Sequence, residues 1–239
     1  MIIYGKNSVL EALKSELTIN KLMVQNNLND NMSNSIIKIA KDKGIRINFV
    51  SKDVLDKKCQ GRHQGFVCDT TEFEYGEVDE ILNCAKKLNQ PPFIVILDGI
   101  EDPHNFGAII RTCECAGVHG IIIPEHRACA VNDTVVKTSA GATANMIIAR
   151  VTNINNTIEV LKKQGIWVYC LETGGKMLTQ TNLTGPVAIV VGSEGKGVSR
   201  LTREKCDETI SIKLNGKINS LNASVATAIT VYEIVRQRG

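Results

Sequence analysis

No apolar run in this 239-residue chain approaches the roughly 20 residues that cross a bilayer as a helix, which excludes a membrane-spanning helix on length alone. The first residues, Met1-Ile-Ile-Tyr-Gly-Lys6, have neither the basic start nor the long apolar stretch of a secretory signal, so the expected location is the cytoplasm. Strong charge is missing too. With 28 Lys and Arg against 25 Asp and Glu the formal net charge is +3, and a nucleic-acid partner has to be met by a local basic patch rather than a general field. Internal repeats and low-complexity segments are absent. So are two nucleotide-binding signatures. A P-loop wants a glycine where Val190 stands and Ser or Thr after Lys196, where Gly197 stands; no Gly-x-Gly-x-x-Gly follows an early strand.

What is present is an ordinary globular composition, 43% hydrophobic and 22% charged, in a chain long enough for one large or two modest domains. The eight cysteines are scattered, and several fall within apolar strand or helix patterns, which reads as reduced and mostly buried thiols. A zinc site from Cys113, Cys115, His119 and Cys129 fails on geometry, because Cys-x-Cys on a helix stepping about 100° per residue points its two thiols to different faces. No metal is expected.

The pattern from Lys6 to Lys14 is helical, Lys21–Val24 is a short strand, and a polar stretch from Asn26 to Asn34 precedes a helix that stops at Gly44. Ile45–Val50 and Gly65–Asp69 are further strands. These residues make a compact α/β unit, assigned to 1–71, with a linker at 72–77 and a second domain over 78–239. The second domain alternates strands at Phe93–Leu97, Gly120–Ile123, Met146–Val151, Ile166–Leu171, Val187–Val191 and Thr209–Ile212 with helices, the pattern of a parallel sheet covered on both faces.

Three of those strands end in loops of small and polar residues. Phe93–Leu97 runs into Asp98-Gly-Ile-Glu-Asp-Pro-His-Asn-Phe-Gly-Ala-Ile-Ile-Arg111, where Asn105 is positioned to cap a helix running from Phe106 to Ala116. Val187–Val191 opens into Gly192-Ser-Glu-Gly-Lys-Gly-Val198, whose glycines let backbone N–H groups approach a ligand. The third strand leads to Asn215-Gly-Lys-Ile-Asn-Ser-Leu-Asn-Ala-Ser224 and a long apolar helix through Arg236. In α/β proteins the carboxyl ends of strands are where ligands bind.

In this order the three blocks resemble the signature motifs of the SpoU-type, TrmH-like family of RNA 2′-O-ribose methyltransferases within the SPOUT superfamily. The matching positions are Asp98, Asp102, Pro103, Asn105, Gly107 and Arg111; then Gly192, Glu194, Gly195 and Gly197; then Gly216 and Ser220 to Ser224. The resemblance extends to the amino-terminal part, through Ile3-Tyr-Gly-Lys-Asn-Ser-Val-Leu-Glu-Ala-Leu13 and Arg62-His-Gln-Gly65, and is closest to the ribosomal RNA branch. Two positions depart from the family pattern: Lys213 where a proline is common and Cys113 where alanine is usual.

The resemblance implies a small ribosomal-protein-like RNA-binding domain followed by an α/β/α catalytic domain with a carboxy-terminal trefoil knot, one of the exceptions to unthreaded topology. It implies S-adenosylmethionine as methyl donor, bound mainly by backbone groups around Gly192, Ile212 and Leu221, and catalytic positions at Asn105, Arg111, Glu194, Ser220 and Asn222. Arg111 is the family's activator of the 2′-hydroxyl. Since guanidinium hardly deprotonates in proteins, orienting the ribose or phosphate and stabilising negative charge is the better role, with Glu194 positioning it. Alternatively, Arg111 pairs with Glu114 and Asn222 and Ser224 only cap the last helix. Lys6, Lys57, Lys58, Arg62 and His63 are candidate RNA contacts, the loop from Lys57 to His63 being the densest basic cluster, with His104, Arg127, Lys137 and Arg150 as further candidates. The implied product is a 2′-O-methylguanosine in large-subunit ribosomal RNA, made by a homodimer that pairs through the catalytic domain, to which an apolar face of Val225, Ile229, Tyr232 and Ile234 is suited. The alternatives are a transfer RNA enzyme, a resistance-conferring ribosomal RNA enzyme of the same family, and a non-catalytic RNA-binding or ribosome-assembly protein.

Overall fold

The computed structural model describes residues 2–14, 19–70 and 73–239. The chain forms two compact units, Met1–Glu74 with Val131–Asn145, and Tyr75–Ala130 with Met146–Gly239. Within the expected linker at 72–77, Glu72 lies outside the described residues.

The first unit begins with β1 (Ile2–Tyr4), α1 (Lys6–Lys14), β2 (Ile19–Gln25), α2 (Asn31–Asp42), β3 (Ile47–Val50), α3 (Lys52–Asp56) and β4 (Phe66–Thr70). Its sheet has the order β1-β4-β2-β3, with β4 antiparallel to both neighbours and β2 parallel to β3. The second helix starts inside the stretch read as polar connection because the Asp30 side chain accepts from the Ser33 N–H at 3.0 Å and caps it. Both faces of β2 and β4 are covered: Leu22, Val24, Phe66 and Cys68 are fully buried, as are Val9, Leu13 and Ile36 of the helices, while Met23 and Val67 pack with Leu55 and Cys59.

The second unit continues with α4 (Val78–Lys87), β5 (Phe93–Asp98), α5 (Pro103–Cys115) and β6 (Gly120–Pro124). The chain then supplies α6 (Asp133–Thr138) to the first unit, so Lys137, expected in the catalytic domain, belongs to the first unit and lies 4.6 Å over the Tyr4 ring. The second unit resumes with β7 (Ile148–Val151), α7 (Ile154–Lys163), β8 (Trp167–Met177), β9 (Val187–Gly192), α8 (Arg200–Lys205), β10 (Glu208–Ser211) and α9 (Ala223–Arg238). Its six strands are all parallel, in the order β10-β8-β9-β5-β6-β7. The central strands are covered on both faces: Ile94, Val95, Ile96 and Leu97 of β5 and Ile189 and Val190 of β9 are completely buried. Among the described residues no helix is long and apolar enough to cross a membrane.

Candidate active site

The register of the sheet brings the first two motifs together. Asp98 at the end of β5 stands opposite Gly192 at the end of β9, and Asp98 Oδ2 accepts from the Ser199 N–H at 2.8 Å, tying the start of one loop to the end of the other. The helix of the first motif starts earlier than the sequence reading placed it. Asp102, not Asn105, is the cap: its carboxylate accepts the backbone N–H groups of His104 at 2.7 Å and Asn105 at 2.9 Å, with Pro103 in the first turn. Proline there has φ preset for the helix and gives up only a donor that the first turn leaves unpaired. The Asn105 side chain is thereby released from capping.

It is used instead to join the three motifs. Asn105 Nδ2 donates to Glu194 Oε1 at 2.9 Å, and Asn222 Nδ2 donates both to Asn105 Oδ1 at 2.9 Å and to Glu194 Oε1. The Ala223 N–H adds a longer bond to the same Glu194 oxygen at 3.4 Å. Asn222 also caps α9: its Oδ1 accepts from the Ser224 N–H at 3.0 Å, the Ser224 hydroxyl at 2.6 Å and the Val225 N–H at 3.3 Å. Capping and site-building, alternatives in the sequence, are divided here between the oxygen and the nitrogen of one carboxamide.

The cluster stands at the edge of a cleft of about 370 Å³ whose lining includes Gly192, Glu194, Ile212, Ser220 and Leu221. All three expected cofactor positions therefore face one space, which Ser220 also lines. Gly192 is required there, because a Cβ would overlap the Gly197 carbonyl carbon and the Val198 nitrogen. Ile212 and Leu221 give an apolar wall, and the loop backbone gives donors and acceptors, the make-up that an adenosyl group needs. A second cleft of about 190 Å³ is lined by Gly99, Glu101, Asp102 and Asn105 and shares Ser193, Glu194 and Lys196 with the first. Glu194, flanked by Ser193 and Lys196, is thus a common wall between two spaces, and Asn105 and Asn222 hold it there.

Arg111 is not part of this cluster. It is exposed on α5, and the bonds that Glu194 accepts come from Asn105, Asn222 and the Ala223 N–H rather than from its guanidinium. Six helical steps of about 100° turn it well away from Asn105. On α9, Val225, Ile229 and Tyr232 form an exposed stripe at 46%, 41% and 50% exposure, but Ile234, expected with them, is fully buried. The 234 position faces the opposite side of the helix from 229 and 232 taken together.

The basic residues of the first unit divide in two. Lys57, Lys58 and Arg62 are exposed. His63 is buried, its Nε2 2.9 Å from Asp56 Oδ1 and its Nδ1 accepting from the Gly65 N–H at 2.9 Å, so it braces the loop rather than facing a partner. Lys6 is ion-paired with Asp30, whose carboxyl the Lys6 ammonium and then Ser33 hold well below the usual range. In the second unit Arg150 stacks over Tyr75 and donates to the Glu125 carbonyl at 2.9 Å, while His104 and Arg127 are exposed.

Four of the eight cysteines, Cys59, Cys68, Cys113 and Cys170, are buried, three are partly buried and Cys115 is exposed, fewer buried than the sequence suggested. Cys113 inside and Cys115 outside point apart as helical spacing requires, and burial pushes the Cys113 thiol up. His119 accepts from the Phe93 N–H at 2.9 Å and lies 3.0 Å from Gln90 Oε1, a structural role. Among the described residues no three His, Cys, Asp or Glu side chains converge as metal ligands.

Comparison with known proteins assigns both units. Residues 92–232 match the SpoU rRNA Methylase family, and residues 2–76 match the family described as RNA 2′-O ribose methyltransferase substrate binding. The "Putative TrmH family tRNA/rRNA methyltransferase YacO" of Bacillus subtilis (strain 168) is 43% identical over 99% of this chain and 95% of its own. Among solved structures, the SpoU methyltransferase AviRb from Streptomyces viridochromogenes in complex with the cofactor AdoMet aligns with a TM-score of 0.84 at 22% identity, over 100% of this chain and 90% of that one. The TrmH/SpoU tRNA modifying enzyme of A. aeolicus aligns over 66% of this chain and 84% of its own, with a TM-score of 0.56 at 30% identity. With the family match covering most of the chain, and the paired strand ends, fused motifs and amino-terminal unit in place, this chain belongs to the SpoU family of RNA methyltransferases.

Proposed function

We propose that this protein transfers a methyl group from S-adenosylmethionine to the ribose 2′-hydroxyl of a guanosine in large-subunit ribosomal RNA. The observation that carries the reading is Glu194, held by Asn105 and Asn222, standing in the wall shared by two clefts. One is suited to the adenosyl group, and the other is open to an acceptor. S-adenosylmethionine supplies a sulfonium methyl, and the displacement needs an oxygen aligned with it and relieved of its proton.

Residues of the chain meet those needs in distinct ways. Among the described residues the side-chain bonds of Glu194 fall on Oε1, which leaves Oε2 to accept from the attacking hydroxyl and fix its direction. Two carboxamides hold that carboxylate, so little reorganisation is needed as charge develops. Arg111, exposed and permanently charged, orients the RNA phosphate or ribose and stabilises negative charge on the oxygen.

The ribosomal target is favoured over transfer RNA by the amino-terminal unit, since residues 2–76 match a substrate-binding family and the A. aeolicus tRNA modifying enzyme aligns over only 66% of the chain. The exposed Lys57, Lys58 and Arg62 supply local positive charge for the RNA backbone. The protein acts in the cytoplasm as a homodimer, its exposed Val225, Ile229 and Tyr232 covered by a second copy.

The test is transfer of radiolabelled methyl from S-adenosylmethionine to unmodified ribosomal and transfer RNA pools, followed by nucleoside analysis. Label in 2′-O-methylguanosine of large-subunit RNA is expected. Label only in transfer RNA would replace the substrate, and no label in either pool would overturn the enzymatic reading.

A further inference from the structure

One acid lining the larger cleft lies outside all three motifs. β8 runs beside β9 only as far as Leu171, opposite Val191. Its pairing with β10 breaks at the same place: Thr209 stands opposite Cys170 but the next residue, Ile210, stands opposite Lys176, so Leu171 to Gly175 bulge out of the ladder. Bulges re-aim side chains, and they concentrate beside functional sites. This one brings Glu172 into the lining of the cleft.

There the carboxylate meets the glycine-rich loop. Glu172 Oε1 accepts from the Val198 N–H at 2.7 Å. The residue before, Gly197, has φ +66°, and a Cβ on it would overlap that same oxygen. The loop is closed from the other side by the Gly197 N–H donating to the Ser193 carbonyl at 2.9 Å. Carboxylate and turn are fitted to each other, and the turn carries Glu194 at its tip.

We propose that Glu172 is a positioning residue for the methyl donor: by holding the Val198 N–H it keeps the loop from Gly192 to Val198 in the shape that forms one side of the cleft. The inference rests on reading that cleft as the S-adenosylmethionine site. A carboxamide can make the same bond and a methyl group cannot. Glu172→Ala therefore weakens S-adenosylmethionine and S-adenosylhomocysteine alike by about tenfold or more, the consequence of an unmade bond to a charged acceptor. It raises KM for the donor more than it lowers kcat, because Glu194, though carried by the same turn, is held separately by Asn105 and Asn222. Glu172→Gln restores affinity to within about threefold of wild type.

The experiment is calorimetric titration of the full chain and both variants with each ligand, with thermal unfolding of the free proteins run alongside. Wild type that binds neither ligand would overturn the reading of the cleft itself. Wild type that binds, with Glu172→Ala binding equally well, would overturn only the role of Glu172. Loss confined to S-adenosylmethionine in both variants would overturn it too, in favour of direct contact with the positive sulfonium. Should Glu172→Ala fail to fold, Glu172→Gln decides: near-native affinity supports the role, and a loss beyond about tenfold contradicts it.

Discussion

In the second unit the polar residues of the motifs are bonded to one another; in the first, the basic residues proposed to meet RNA are either exposed to solvent or tied up in the scaffold. Asn105, Glu194 and Asn222 come from three loops and converge within hydrogen-bond distance. Lys57, Lys58 and Arg62 are exposed neighbours along one loop, with His63 beneath them. Chemistry at a fixed atom needs groups whose geometry is held by partners, whereas attraction to a phosphate backbone works through summed charge and tolerates mobile side chains. Substitutions in the two units should therefore fail differently, one set in rate and the other in affinity and its salt dependence.

The largest expected effect is on rate. Arg111→Ala is expected to slow single-turnover methyl transfer by about a thousandfold while affinity for RNA and donor stays within several-fold, the pattern of a lost charge stabiliser. Turnover like wild type would remove Arg111 from the chemistry. Reversing Lys57, Lys58 and Arg62 together is expected to weaken RNA binding by tenfold or more and to reduce the slope of log affinity against log salt by about two to three. An unchanged slope would move the RNA surface elsewhere.

Two smaller effects separate scaffold from site within the second unit. Asp102→Ala removes the α5 cap and is expected to cost about 1 kcal/mol of stability in denaturant unfolding, with slower transfer because Asn105 is then less well placed. His119 is held below its usual pKa by burial and, behind that, by the Arg238 charge. The fold favours the neutral ring, so the stabilisation is complete above about pH 6.5 and is lost as pH falls through the lower native value. His119→Gln is expected to flatten that acid-side slope in thermal unfolding while leaving methyl transfer at neutral pH unchanged.

Much of the second unit was legible in the sequence because its central strands are unbroken apolar runs bounded by glycine and aspartate. β5 and β9 were placed to within a residue, and the motif residues Asn105, Glu194 and Ser220 line the clefts, with Asn222 bonded to two of them. What escaped notice lacks periodicity. The strand β1 and the helix α3 span too few residues to show a repeat, and the end of β8, Glu-Thr-Gly-Gly-Lys-Met177, is polar, with only Lys176 and Met177 pairing to Ile210 and Ser211 of the distant β10. The Asp102 cap was hidden because Asp102-Pro103 reads equally well as a turn. The burial of His63 and Ile234 is set by tertiary packing, and local pattern does not report it.

The most direct test of the central claim, that the fused motifs form one catalytic wall, is single-turnover methyl transfer by Glu194→Gln at saturating donor and RNA. The carboxamide keeps an oxygen for Asn105 and Asn222 but loses the charge. Transfer slowed by about a hundredfold or more, with donor affinity retained, is the expected result. Transfer at the wild-type rate would show that Glu194 only holds the loops together and that the chemistry is organised elsewhere.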